Sequence, residues 1–342
     1  MVALVPLSGC LFSSSRNVQT RQSTNKLETA TLEQLVEKIN SSAAKLQTIN
    51  ATVTIDASAG GERAGKVTDY RQINGNVLVR KPEMMRMIGR VPVVGNHLFD
   101  MVSDGKKFEL SIPPQNKFIV GSNQMAAKAP EPASNQMAAK PAEPVSNQMA
   151  AKSPEQPGEK AVQRPVADSL LLLRPQHILD ALVLKTVDQA AGEIAVLEQS
   201  TEMVKDAKTH KDAIQQDYVV VVISKDEKGS YLSRRIVFSR EDLMPHEQYL
   251  YNHDGQIVTF AHYEKFQNFD GTMFPSVVDI QRPVEELAIT LNIVKLRVNE
   301  PLRDDQFQLA QPAGSRLINV DDQSTRAENK TSAKPLPEKH EQ

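Results

Sequence analysis

Between Thr31 and Ile49 the apolar residues recur at spacings of three and four, which is the period of an amphipathic helix. Thr31 is followed three residues later by Gln34, an arrangement that matches a capping box. The pattern therefore predicts a long N-terminal helix beginning at Thr31. Its apolar stripe consists of Leu32, Leu35, Val36, Ile39, Ala43, Leu46 and Ile49.

The period changes to two directly after this helix. Ala51, Val53, Ile55 and Ala57 alternate with polar residues, as in a half-buried strand. Similar runs follow, separated by dipeptides that favour tight turns and therefore an antiparallel meander. These dipeptides are Gly60-Gly61, Asn74-Gly75, Asp104-Gly105, Asp254-Gly255 and Asp270-Gly271. The run 219–223 is apolar at every position, so we expect that strand to be covered on both faces.

Two further features break the simple alternation. Pro175 precedes a short helical pattern over 176–184. Near the C-terminus the apolar positions have one parity up to Ile293 and the other parity from Val294 onward. Because a strand presents alternate residues to opposite faces, this change predicts a β-bulge or a sharp bend between Ile293 and Val294.

Polar and repetitive segments set the expected boundaries. A unit beginning Ser-Asn-Gln-Met-Ala-Ala-Lys occurs three times, starting at Ser122, Ser134 and Ser146, and proline-bearing stretches follow each copy. Such repeats hold too few apolar residues to form a core, so we expect a disordered insertion over 122–165, serving as a spacer or a partner-binding tether or having no role. The expected domain covers 31–320, interrupted by this insertion, and a disordered tail covers 321–342.

Composition narrows the function. The chain has 342 residues, a net charge of −2, no tryptophan and 5% aromatic residues, so nothing favours nucleic-acid binding. We find no nucleophile elbow, phosphate loop or dinucleotide fingerprint, and the seven histidines lack zinc-site spacing. We therefore expect a protein that is not an enzyme, with no metal and no cofactor.

The chain contains one cysteine, Cys10, which ends the run Leu7-Ser8-Gly9-Cys10 after an apolar start. This order resembles a bacterial lipobox, which implies a signal peptide over 1–9, a covalent N-terminal lipid with palmitate-like chains on Cys10, and a flexible stalk over 10–30. The alternative is a free cysteine near the terminus. The apolar run is short and lacks a preceding Lys or Arg, so we expect the natural start to lie upstream.

The order of elements and several late motifs resemble the LolA/LolB-like group of bacterial lipoprotein carriers and receptors, to which the stress sensor RseB is related. One motif is Phe269-Asp-Gly-Thr-Met-Phe-Pro275. A second is Val298-Asn-Glu-Pro-Leu302, followed by Asp305, Phe307 and Leu309. The resemblance implies an α+β fold with a curved, unclosed half-barrel of about 10–11 antiparallel strands. In that fold a long N-terminal helix and short helices lie across the concave face.

The resemblance also implies a hydrophobic cavity for acyl chains and, in the receptors, an exposed apolar loop that touches the membrane. A methionine-rich patch and the Pro/Gly-bounded segment after it are the candidates in this chain, since methionine adapts to varied ligands. The alternatives are ordinary core packing for the patch and a buried turn for the segment. The candidate cavity or membrane-contact residues are Met84, Met85, Met87, Ile88, Val91, Val93, Val94, Phe99 and Met101.

The sequence thus predicts a lipid-anchored protein of the cell envelope, at the outer membrane and facing the periplasm. Its expected partners are the acyl chains of lipoproteins or lipids, the membrane through its anchor, and an envelope protein, with transport or sorting of lipoproteins as its role. The alternatives are a sensor or interaction protein on the same fold, and a structural lipoprotein without a ligand.

Overall fold

The structure is a computed structural model that describes residues 21–22, 26–60, 65, 67–123, 174–205 and 212–321. Cys10, the repeats after Asn123 and the tail after Asp321 lie outside the described residues. The expectations for the signal peptide, most of the stalk, the insertion and the tail therefore remain predictions.

The described residues form fifteen strands, two α-helices and three short 3₁₀ helices. The helices are α1 (Leu32–Lys45) and α2 (Pro175–Leu182), and the 3₁₀ turns are Pro113–Gln115, Pro283–Glu285 and Asp304–Phe307. The strands are β1 (Arg21–Gln22), β2 (Thr48–Ala59), β3 (Thr68–Arg80), β4 (Met84–Arg90), β5 (His97–Ser103), β6 (Lys107–Ile112), β7 (Lys117–Ser122), β8 (Ile194–Lys205), β9 (Asp212–Asp226), β10 (Gly229–Ser239), β11 (Pro245–Tyr251), β12 (Ile257–Phe269), β13 (Thr272–Arg282), β14 (Leu287–Val298) and β15 (Arg316–Asn319).

The chain divides into two compact units where the sequence analysis treats 31–320 as one domain. The larger unit comprises Ile39–Thr186 and Gln256–Gln342, and the smaller comprises Met1–Lys38 and Val187–Gly255. Ten of the described strands lie in the larger unit and five in the smaller, so the described residues hold more strands than the 10–11 predicted for the whole domain.

The larger unit is built on an open sheet. Its strands follow the order β12-β13-β14-β2-β3-β4-β5-β6-β7-β15, so the path has two ends and does not close on itself. The pairings are antiparallel except at one end, where β15 runs parallel to β7. This arrangement confirms the prediction of a mostly antiparallel, unclosed sheet.

The change of parity in β14 is a β-bulge. Ile293 pairs with Val53 and Lys295 pairs with Thr52, so Val294 is an extra residue between them. Val294 is 69% exposed, while Ile293 and Leu296 on either side of the bulge are both buried. The bulge lets both halves of β14 turn their apolar residues to the same face, as the sequence predicts.

The Asn74-Gly75 dipeptide is not a turn, and that prediction is wrong. Both residues lie inside β3, where Gly75 pairs with Val53. A Cβ at position 75 would come within 2.6 Å of Ile55 Cδ1 and 2.9 Å of Val53 Cγ2. Position 75 needs glycine because the side chains of Ile55 and Val53 fill the space that any larger residue would require. It does not need glycine for a chain reversal.

The N-terminal helix begins where the capping box predicts but is shorter than the predicted apolar stripe. In the capping box the Thr31 N–H donates to Gln34 Oε1 at 2.9 Å, and the Gln34 N–H donates to Thr31 Oγ1 at 3.4 Å. Leu35, Ile39 and Ala43, four residues apart on one side of α1, are buried and confirm the middle of the stripe. The helix ends at Lys45, so Leu46 lies beyond it and Ile49 is part of β2.

The second predicted helix is α2, which covers part of the larger sheet. It contacts β4, β5, β12 and β13. Four of its eight residues belong to the main core cluster, whose other members are Val183, directly after the helix, and buried side chains from the strands of the larger unit. These four residues are Ile178, Leu179, Ala181 and Leu182.

The smaller unit has its own strand order, β8-β9-β10-β11, and the short β1 runs parallel to β9. Val219 and Val220 on β9 are both fully buried although they point to opposite faces. This confirms that the apolar run in β9 is covered on both faces. A partly buried ion pair joins β10 to the turn before β8, with Arg234 Nη2 2.8 Å from Glu193 Oε2.

Candidate acyl-binding site

The methionine-rich strand β4 divides its side chains between two faces. Met85 and Met87 are buried in the core cluster of the larger unit. Met84 and Ile88, which alternate with them, lie on the opposite face and are only partly buried. Of this patch, only Met85 and Met87 therefore lie on the side of the sheet that α2 covers.

Strand β5 adds two more candidates to that side. Met101 pairs directly with Met87 across the β4–β5 ladder, and Phe99 pairs with Gly89. A Cβ at position 89 would overlap the Phe99 ring, so the ring occupies the space above the glycine. Met85, Met87, Phe99 and Met101 thus form one packed apolar surface, which we call the methionine face.

Helix α2 covers the methionine face. Besides its apolar contacts, it is held by the Tyr263 hydroxyl, which donates to the Ala181 carbonyl oxygen at 2.7 Å. Burial raises the pKa of Tyr263 above its usual value, so this phenol stays protonated and remains a donor. In this structure the four side chains of the methionine face are buried in the core cluster, together with four residues of α2.

On the opposite face of β4 and β5, two arginine side chains bind the segment that follows β14. The side chain of Arg86 makes a bidentate pair with Asp100, at 2.9 and 2.7 Å, and donates to the Gln306 carbonyl oxygen. Arg80 donates to Met84 Sδ at 2.7 Å and to the Leu302 carbonyl oxygen at 3.0 Å. Met84 therefore helps hold the chain after β14 in place and has no part in the methionine face.

The apolar segment after β4 is an exposed turn. The Val91 N–H donates to the Asn96 carbonyl oxygen, and the Gly95 N–H donates back to Val91. At its tip Val93 is fully exposed and Val94 is 68% exposed, while Val91 at its base is partly buried. Single exposed valines are ordinary, but two adjacent ones at the tip of a tight turn form a small apolar projection.

A polar cluster that the sequence analysis missed lies at the start of α2. Arg282, at the end of β13, donates to Thr259 Oγ1 at 2.7 Å and to Glu285 Oε1 at 2.6 Å. The cluster also contains Arg174, the residue directly before α2, and His177 in its first turn, and the charges of Arg174 and Arg282 act on each other and on His177. No sequence motif marks these residues, because they come from three distant segments and meet only in the fold.

Burial dominates the electrostatics of this cluster. Burial, together with the smaller effect of the positive charges of Arg282 and Arg174, lowers the pKa of His177 to about 3. Burial also lowers the pKa of Arg174, an effect that Asp321 and Glu285 oppose. At neutral pH His177 is therefore uncharged, while both arginines remain cations.

Among the described residues, no three side chains of His, Cys, Asp or Glu lie close enough together to hold a metal ion. Three of the histidines pair with different carboxylates: His246 with Asp242, His253 with Asp226, and His262 with Glu264. None of the helices within the described ranges is both long enough and apolar enough to cross a membrane.

The chain resembles known proteins in its three-dimensional structure but not in its sequence. No protein-family model and no curated protein sequence matches the chain. The chain is similar to solved structures of the LolA superfamily. One of them, a LolA superfamily protein from Nitrosomonas europaea, is 13% identical with a TM-score of 0.42, and the match covers 82% of this chain and 99% of that one.

Two other solved structures are similar over most of their length. A domain described as an outer membrane lipoprotein-sorting protein from Vibrio parahaemolyticus is 10% identical, with a TM-score of 0.40 and coverage of 81% of this chain and 94% of that one. A DUF1329 family protein from Desulfovibrio piger is 12% identical, with a TM-score of 0.47 and coverage of 80% and 94%. The likeness concerns the fold, and function is argued from the residues of this chain.

Proposed function

We propose that this chain is a lipid-anchored protein of the cell envelope that binds the acyl chains of lipoproteins or lipids on the methionine face, beneath α2. Its role is the transport or sorting of lipoproteins to the outer membrane. The observation that carries the proposal is that an adaptable, methionine-rich apolar surface on an open sheet is covered by a helix of only eight residues.

The energetics allow an acyl chain to replace the helix. Burying an acyl chain gains about 0.8 kcal/mol per CH₂, so ten buried groups gain about 8 kcal/mol. Exposing Ile178, Leu179 and Leu182 costs about 1.5–3 kcal/mol each, which is similar in sum. A near balance of this kind suits a protein that must accept and release its cargo.

Two other features fit the same role. The tip at Val93 and Val94 is apolar and exposed, and insertion into a lipid surface would remove both valines from water. The lipobox-like sequence ending at Cys10 would tether the protein to that surface. The proposal expects no enzymatic activity and no cofactor other than the covalent lipid.

The test uses the full chain carrying Cys10→Ser and a fluorescent fatty-acyl probe that diacyl lipopeptide can displace. Because α2 covers the methionine face, a variant that loosens α2 should bind the probe more tightly. Tyr263→Phe removes the hydrogen bond to Ala181, worth about 1 kcal/mol, and should tighten binding about fivefold.

Tyr249→Phe is the matched control, since it removes a tyrosine hydroxyl that donates to Glu247 in the smaller unit. It should leave probe affinity unchanged. If the wild-type chain binds no probe and Tyr263→Phe does not create binding, the transport role is excluded, and a sensor or structural role takes its place.

A further inference from the structure

The cluster at the start of α2 holds an unusual concentration of unsatisfied polar atoms. Among the described residues, eight side-chain polar atoms are fully buried without a hydrogen-bond partner, and four of them belong to this cluster. Buried polar atoms are normally paired in folded proteins, so a group of four unpaired ones needs an explanation. The four atoms are Arg174 Nη1, His177 Nδ1, Arg282 Nε and Glu285 Oε2.

Arg282 is the fixed base of the cluster. Its side chain is only 4% exposed, and Thr259 and Glu285 hold its two terminal nitrogens. Its Nε remains buried without an acceptor. Glu285 is itself 8% exposed, and its Oε2 has no donor. Arg282 and Glu285 therefore each keep one buried polar atom without a hydrogen bond.

Arg174 is the second cation and borders the apolar core. Its guanidinium lies 5.7 Å from the centre of the Phe108 ring, and Phe108 is part of the core cluster. The nearest carboxylate is that of Asp321, whose Oδ1 is 3.8 Å from Arg174 Nη1, which is too far for a hydrogen bond. Asp321 Oδ2 accepts instead from the Ser122 backbone N–H, at 2.7 Å.

His177, in the first turn of α2, lies near enough to both arginines for their charges to act on it. The next two residues, Ile178 and Leu179, belong to the core cluster, so the polar cluster and the methionine face are covered by the same helix. An acyl chain lying beneath α2 would therefore end close to two guanidinium groups, each of which keeps one nitrogen without an acceptor.

We propose that this cluster binds the oxyanionic end group, a carboxylate or a phosphate, of an acyl ligand. The inference rests on the proposed acyl-binding function. Anionic oxygens would accept hydrogen bonds from Arg174 Nη1, Arg282 Nε and the Nδ1–H tautomer of neutral His177. A hydroxyl of the same end group would donate to Glu285 Oε2.

The test compares three ligands of equal chain length: a fatty acid, a lysophosphatidic acid and a neutral fatty-acid methyl ester. Each competes with the fluorescent probe for the full chain carrying Cys10→Ser. A charge-assisted hydrogen bond contributes enough to give the anionic ligands about a tenfold preference over the ester. The ratio between fatty acid and lysophosphatidic acid tells whether the natural end group is a carboxylate or a phosphate.

Arg174→Gln should reduce that preference to below about threefold by weakening only the anionic ligands, and Arg174→Lys should restore part of it. Arg297→Gln, at an exposed arginine of β14, is the control and should change nothing. Equal affinity of the wild-type chain for acid and ester would overturn the end-group site and leave acyl binding intact. If Arg174→Gln weakened the binding of all three ligands equally, the end-group site would likewise be overturned and acyl binding would stand. Failure of every ligand to bind would instead overturn the proposed function itself, and the end-group site with it.

Discussion

At the scale of single residues, Gly89 shows how tightly the methionine face is packed. The Phe99 ring occupies the space that a Cβ at position 89 would need. Gly89→Ala should therefore cost about 1–3 kcal/mol in the free energy of unfolding, because the ring must leave its position. Urea unfolding of the two proteins measures the difference.

Phe99→Leu supplies the partner for a double-mutant cycle. In the Phe99→Leu background the added methyl group meets a smaller side chain, so Gly89→Ala should cost less than half of its value in the wild type. An equal cost in both backgrounds would show that Phe99 is not what excludes a side chain at position 89.

His177 gives a residue-scale prediction about pH. Its pKa is about 3 in the folded protein and 6.5 in the unfolded chain, so between these values the unfolded state binds more protons. Stability should therefore fall as the pH drops below 6.5, by about 1.4 kcal/mol per pH unit, and the fall should level off near pH 3.

The measurement is urea unfolding at pH 7 and pH 5 for the wild type and for His177→Gln, which cannot titrate. The wild type should lose about 2 kcal/mol more than the variant over this interval. The same loss in both proteins would mean that His177 is protonated as easily in the folded state as in the unfolded chain.

The sequence predicted part of the candidate site and could not have predicted the rest. The methionine patch was found from composition, and strand alternation already implies that Met85 and Met87 face away from Met84 and Ile88. The arginine cluster gave no signal, because Arg174 and Arg282 are more than a hundred residues apart in the chain and are brought together only by tertiary packing.

At the scale of elements, the bulge in β14 makes a sharp prediction about deletions. Removing Val294 would leave Ile293 opposite Val53 and Lys295 opposite Thr52, so the ladder would become regular and no core residue would change face. We expect a cost below about 1 kcal/mol, since an exposed, unpaired residue is lost.

Deletion of Thr290 is the matched control in the same strand. After this deletion Val294 can take the pairing position of Ile293, so that the strand has no extra residue. Leu291 and Ile293 then move to the outer face and Asn292 enters the core, which should lower the free energy of unfolding by several kcal/mol. Thermal unfolding of both deletion variants tests the pair. Similar losses of stability would contradict the assigned register.

The elements were predicted with uneven success, for physical reasons. The capping box and the apolar stripe of α1 involve residues that are close together in the chain, so the sequence alone predicts this helix. Glycine in a strand and glycine in a turn look alike in a sequence, and only the packing of Gly75 against Ile55 separates them. The division into two units depends on contacts between distant segments and left no signal in the sequence.

At the scale of the whole molecule, the proposal needs the protein to be held at a membrane. Expressed behind a functional signal peptide in a Gram-negative host, the chain should incorporate labelled palmitate and sediment with membranes. Cys10→Ala should abolish both, because the chain has no other cysteine to accept the lipid. Ser13→Ala is the control and should label normally, and labelling of Cys10→Ala would contradict the anchor.

The central claim is that the methionine face receives acyl chains, and the most direct test is to identify what the protein carries from cells. The full chain with Cys10→Ser, which carries no anchor, should be purified without detergent from the periplasmic fraction, extracted with organic solvent and analysed by mass spectrometry. We predict acylated lipid or lipopeptide in stoichiometric amount, and more of it with Tyr263→Phe, which loosens α2. A folded protein that yields no acylated species, from either the wild-type face or the loosened variant, would contradict the account.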